Sequence, residues 1–108
     1  MLQAKQKESV LTIRLDGEID HHASETMREE IERLIRLGNP DTLILDFEDV
    51  SFMDSSGVGM IIGRYKTMTA RKGIVYAAGL HPPVERLFRM AGLHRIIEVI
   101  KGERRDGA

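Results

Sequence analysis

The sequence contains no cysteine and no tryptophan, and only 5% of its 108 residues are aromatic. Without cysteine there is no disulfide framework, no thiol nucleophile and no thiolate-bound zinc, which fits a reducing compartment and points to the cytoplasm. With so few rings there is no stacking platform for single-stranded nucleic acid. An excess of charge of one sign is also lacking: 16 Lys and Arg stand against 17 Asp and Glu, a formal net charge of -1. Nucleic-acid and anionic-membrane binders need surplus Lys and Arg against phosphate, so neither partner is expected. No stretch approaches the roughly 18 apolar residues that span a bilayer, and Met1 to Lys7 lack the apolar core of a secretion signal. A chain this short can bury one core but has no room for a second domain or an enclosed large-cofactor cleft. A single domain over residues 1–108 is expected, with a charged tail at 101–108 that frays.

What is present has a clear order. From Ser9 to Glu18, Leu11, Ile13 and Leu15 alternate with Thr12 and Arg14, the period of a half-buried strand. After Asp20-His21-His22, the residues Ala23, Met27, Ile31, Leu34 and Ile35 form one stripe of an amphipathic helix. Glu29 with Arg33 and Glu32 with Arg36 are spaced as i,i+4 ion pairs, and Gly38 is expected to stop the helix. Thr42 to Leu45 is a continuous apolar run, a central strand closed by Asp46. From Ser55 to Arg71, the residues Val58, Ile61, Ile62, Tyr65 and Met68 follow helical spacing. Ile74–Ala78 reads as a strand, Pro82–Ala91 as a short helix with Val84, Leu87, Phe88 and Ala91 inward, and Ile96–Ile100 as a last strand. Residues 2–7 are available as an edge strand. The alternation predicts an α/β domain, a four- to five-stranded mixed, mostly parallel sheet with helices packed on it.

The segment Asp49-Val50-Ser51-Phe52-Met53-Asp54-Ser55-Ser56-Gly57-Val58-Gly59 joins a buried strand to a helix. A hydroxyl there meets unpaired N–H groups and the positive end of the helix dipole, so Ser55 could carry a phosphate without unfolding the helix behind it. Gly57 and Gly59 each cost about 1 kcal/mol of helix propensity relative to alanine, and bare a surface on which another protein's active site could close. The plainer alternative makes Asp54 or Ser55 an N-cap and assigns the glycines to helix-on-sheet packing.

The runs FMDSSGVGMIIGRYK, SVLTIRLDGEIDHH upstream and VERLFRMAGLHRII downstream resemble the STAS-domain anti-anti-sigma factors, in one register from about Ser9 to Ile100. The DHH and GRYK elements are most like the sporulation members rather than those of general stress. The resemblance implies a non-enzymatic regulator of transcription that acts by partner switching. Its phosphorylation site falls on Ser55, the first serine of DSSG. The unphosphorylated form binds an anti-sigma factor that is also a serine kinase and so frees a sigma factor. Phosphorylation by that kinase reverses this, and a PP2C-type phosphatase restores the active form. The partner-binding residues implied are Asp20, His22, Met53, Asp54, Ser56, Gly57, Val58 and Gly59. Members of the family usually carry a further helix after the last strand, where this sequence has its short charged tail.

Other patterns point elsewhere less well. Gly57-x-Gly59-x-x-x-Gly63 lacks the Gly-Lys-Ser/Thr of a phosphate loop and misses the dinucleotide spacing by one residue, so no nucleotide cofactor is expected. Adjacent histidines at 21 and 22 seldom converge on one ion, and no metal is expected. His81 and His94 read as isolated surface residues, and Met53 and Met60 as core filling or adaptable contact surface. No G-x-S-x-G elbow accompanies Ser55, so no catalytic residue is assigned. Asp46 at a strand end suggests an aspartyl-phosphate receiver, but the acidic pair that would hold Mg²⁺ is missing after the first strand.

Overall fold

Alternation in β2 (Val10–Ile19) buries Leu11, Ile13 and Leu15 and leaves Thr12 and Arg14 half-exposed, as the sequence period requires. The computed structural model describes residues 1–101, so the charged run expected to fray lies, beyond Lys101, outside the described residues. The other elements are β1 (Leu2–Lys7), α1 (His21–Gly38), β3 (Thr42–Met53), α2 (Ser55–Ala70), β4 (Ile74–Ala78), α3 (Pro82–Met90), a 3₁₀ turn at Leu93–Arg95 and β5 (Glu98–Ile100). They form a five-stranded sheet in the order β1-β2-β3-β4-β5. The edge strand β1 runs antiparallel to β2, and β2 to β5 are parallel.

Because strand order follows chain order, successive right-handed crossovers lay α1, α2 and α3 on the same face. The buried cluster accordingly joins Leu11, Ile13, Leu43, Leu45, Val75 and Ala77 of the sheet to Met27, Ile31, Ile61, Val84 and Phe88 of the helices. Val10, Ile44, Tyr76 and Ile100 point to the opposite face and lie outside that cluster. The mixed, mostly parallel sheet with its edge strand at 2–7 is as expected.

Several local expectations are corrected. β3 does not end at Asp46 but continues to Met53, with Phe47, Val50 and Met53 buried. Asp46 is itself buried; its Oδ1 accepts from the Glu48 N–H at 2.9 Å, which lets a polar side chain sit in mid-strand. The left-handed residue that stops α1 is Asn39 at φ 47°, not Gly38. Arg33 pairs with Glu30, one residue nearer than the expected Glu29, and that contact raises the Arg33 pKa and lowers that of Glu30. Glu32 turns away from Arg36 toward Arg64 of α2. The buried stripe of α2 is Gly57, Met60, Ile61, Arg64 and Met68, with Val58, Ile62 and Tyr65 only half-buried beside it. Ala91 and Ile96 are exposed, the first ending α3 and the second preceding β5.

Candidate functional site

Parallel pairing of β2 and β3 starts α1 and α2 at the same end of the sheet. Ile19 and Met53 are register partners, and the Asp54 N–H donates to the Ile19 carbonyl at 3.2 Å. Each strand is followed at once by an aspartate that caps the next helix. Asp20 Oδ1 accepts from the Ala23 N–H at 2.9 Å, and Asp54 Oδ1 accepts from the Ser56 N–H at 2.9 Å. Two helix N-termini therefore stand side by side, each with its positive dipole end capped by a carboxylate.

Ser55 opens α2 in this setting. Asp54 fills the capping role, so the alternative that made Ser55 the cap is excluded. The Ser55 side chain is exposed, and its hydroxyl makes no hydrogen bond among the described residues. A nucleophilic hydroxyl at a helix N-terminus, unused by the fold, can be presented to another protein and can carry an anion afterward.

The two glycines of the first turn have separate roles. A Cβ on Gly57 would lie 2.4 Å from Met53 Cγ and 3.1 Å from Ile19 Cγ2, so this glycine lets α2 approach the sheet. A Cβ on Gly59 would meet nothing within 4 Å. Gly57→Ala is expected to lower stability by about 1–2 kcal/mol, overpacking outweighing the gain in propensity, whereas Gly59→Ala should raise it by up to about 1 kcal/mol. Urea unfolding of the two variants checks both signs, and equal effects would refute this assignment.

The remaining sequence-assigned residues divide by exposure. Asp20 and His22 are exposed beside the capped end of α1, while Asp54, Ser56 and Val58 are half-buried and Gly59 is exposed. Met53, at 6% exposure, is buried beneath α2 against Gly57, which is buried as well. Met60 is likewise buried, which leaves core filling as the role of both methionines. Two register shifts of β3 against β2 break period-2 alternation there, so Val50 and Met53 are buried while Ser51 and Phe52 both turn outward, and hydropathy alone does not single Phe52 out.

His81 is not isolated: its Nε2 lies 2.6 Å from the Val50 carbonyl oxygen and ties the start of α3 to β3. His21 Nε2 lies 3.3 Å from Glu25 Oε1 on its own helix. Among the described residues no three His, Asp or Glu side chains gather as a metal site, and no helix is long and apolar enough to cross a membrane. Burial of Asp46 under Gly79 and its bond to the Glu48 N–H remove it as an acceptor of phosphate.

A family model described as STAS domain matches residues 1–105. The anti-sigma F factor antagonist of Paenibacillus polymyxa is 35% identical over 102 residues, 94% of this chain and 87% of that protein. The solved structure of the anti-sigma factor antagonist SpoIIAA in its unphosphorylated form superimposes with a TM-score of 0.84 at 34% identity, covering 98% of this chain and 91% of that one. The phosphorylated form of the Bacillus cell fate determinant SpoIIAA gives 0.77 at the same identity, covering 98% and 95%.

Proposed function

The chain belongs to the STAS-domain family, and on that premise we propose that it is an anti-sigma factor antagonist switched by phosphorylation of Ser55. Like its relatives it is a regulator and not an enzyme. Unphosphorylated, it binds an anti-sigma factor that is also a serine kinase, and the sigma factor held by that protein is released. Transfer of a phosphoryl group to Ser55 ends the complex, and a PP2C-type phosphatase on a separate chain resets the switch. Likeness to antagonists of the sporulation anti-sigma F factor favours the sporulation branch, acting in the cytoplasm.

The observation that carries this reading is the Ser55 hydroxyl, exposed at the head of α2, with the capping duty taken by Asp54. A kinase needs little more from its substrate than a hydroxyl in line with the γ-phosphate, on a backbone that need not rearrange. Asp20, His22, Ser56, Val58 and Gly59 surround the same end of the sheet and form the surface on which the kinase closes.

Incubation with the cognate kinase and ATP–Mg²⁺, followed by intact mass and site mapping, tests the assignment. One phosphate per chain is expected, on Ser55. It should be absent in Ser55→Ala, which should still bind the kinase. Uptake by Ser55→Ala equal to that of the parent would show the site to be elsewhere.

A further inference from the structure

Two of the three phenylalanines, Phe47 and Phe88, are fully buried, whereas Phe52 is 48% exposed. Other exposed apolar side chains, Leu37, Ile74, Met90 and Ile96, are spread singly over different elements and need no special explanation. Phe52 differs in where it stands. It lies near the end of β3, three residues before Ser55, with Glu18 of β2 as its register partner.

Its surroundings are acidic. Glu18 of β2 is its register partner, and Asp20 and Asp54 follow just beyond the ends of the two strands, each capping a helix. Segments 18–20 and 52–54 contain no Lys or Arg. A chain that is nearly neutral as a whole therefore sets three carboxylates, Glu18, Asp20 and Asp54, at the end of the sheet that bears one exposed ring.

We infer that Phe52 is the apolar anchor of the docking surface, and that its carboxylate rim selects a partner surface with an apolar pocket bordered by Lys and Arg. This rests on the function proposed above and assigns that pocket to the kinase that modifies Ser55. An exposed aromatic side chain has few torsions to freeze on binding and a large area to desolvate, which makes it a strong anchor. Rim charges act at longer range and mainly set how fast partners meet. Placing the anchor three residues from the acceptor serine would fix the hydroxyl against the kinase more tightly than the short, uncharged side chains of the α2 turn could alone.

The test uses the full chain and the purified kinase anti-sigma factor. Phe52→Ala should still unfold in one cooperative transition, slightly below the parent because half of the ring is covered, and bind about thirtyfold more weakly, chiefly through faster dissociation, while Phe52→Met should recover most of the affinity. Glu18→Lys should slow association about threefold and flatten its dependence on salt. Parental affinity in Phe52→Ala would overturn the anchor while leaving the functional reading intact. Failure of the parent chain to bind the kinase at all would overturn both.

Discussion

Phosphorylated on Ser55, the chain is expected to bind the kinase more than a hundredfold more weakly than before, with Ser55→Asp falling between the two forms. Calorimetric titration of the three proteins gives the ratio directly. The free chain has little reason to resist the phosphate, because the head of α2 favours negative charge. The complex does. A phosphoserine adds about -1.5 to -2 charges and a tetrahedral group where a hydroxyl was accommodated, close to the Asp54 carboxylate. A hundredfold is about 2.8 kcal/mol, within the cost of burying one uncompensated charge. On the surface inferred above, an added negative charge should not slow encounter, and the loss should appear in the dissociation rate. A phosphorylated chain that binds within threefold of the parent would contradict this account.

Glu32→Ala is expected to lower stability by about 2–3 kcal/mol, although Glu32 lies far along α1 from the serine. Arg64 projects from the core-facing stripe of α2 with its side chain 8% exposed, and its Nε lies 2.6 Å from Glu32 Oε2. The Nε–H is not directed along that contact, and Nη1 is buried without a hydrogen-bond partner among the described residues. Burial therefore pulls the Arg64 pKa down, while Glu32 opposes that shift. Glu32 also accepts from the Thr67 hydroxyl at 2.7 Å. Removing it strands a buried cation, which costs about 3–5 kcal/mol when fully desolvated and less here, because Glu32 remains 30% exposed. The double variant Glu32→Leu with Arg64→Met should regain most of the loss, since matched apolar side chains need no counter-charge. Urea unfolding of the single and double variants decides it. A loss below about 0.5 kcal/mol in Glu32→Ala would mean the pair contributes little to holding α1 against α2.

Much of this architecture is legible in the sequence because β2 and α1 follow simple periods, and β4 is bounded by a glycine on each side. The full length of β3 is not, because Asp46, Glu48, Asp49 and Ser51 interrupt its apolar run. Asp46 is tolerated through a hydrogen bond to a backbone N–H two residues on, which a hydropathy pattern does not contain. Hydropathy misphases the core stripe of α2 for a similar reason: two of its inward positions are Gly57 and Arg64, neither of which counts as a large apolar residue.

At the site, the serine and its junction are readable from the order of strand, aspartate and helix. The division of labour around it is not. Whether Met53 or Phe52 faces out depends on the register of β3 against β2, and β2 shifts register between Arg14 and Asp16 and again between Gly17 and Glu18. Which of Gly57 and Gly59 could accept a side chain likewise depends on the phase of α2 against the sheet, and only the fold supplies that phase.

The central claim is that one phosphate on Ser55 blocks docking without refolding the chain. The likeness of this fold to SpoIIAA in both its unphosphorylated and phosphorylated forms supports that reading. A backbone amide chemical-shift map of the chain before and after phosphorylation tests it most directly. The account predicts shifts confined to residues 53–60 and the adjoining 19–22, with β4, α3 and β5 superimposable. Widespread shifts through those distant elements would contradict it.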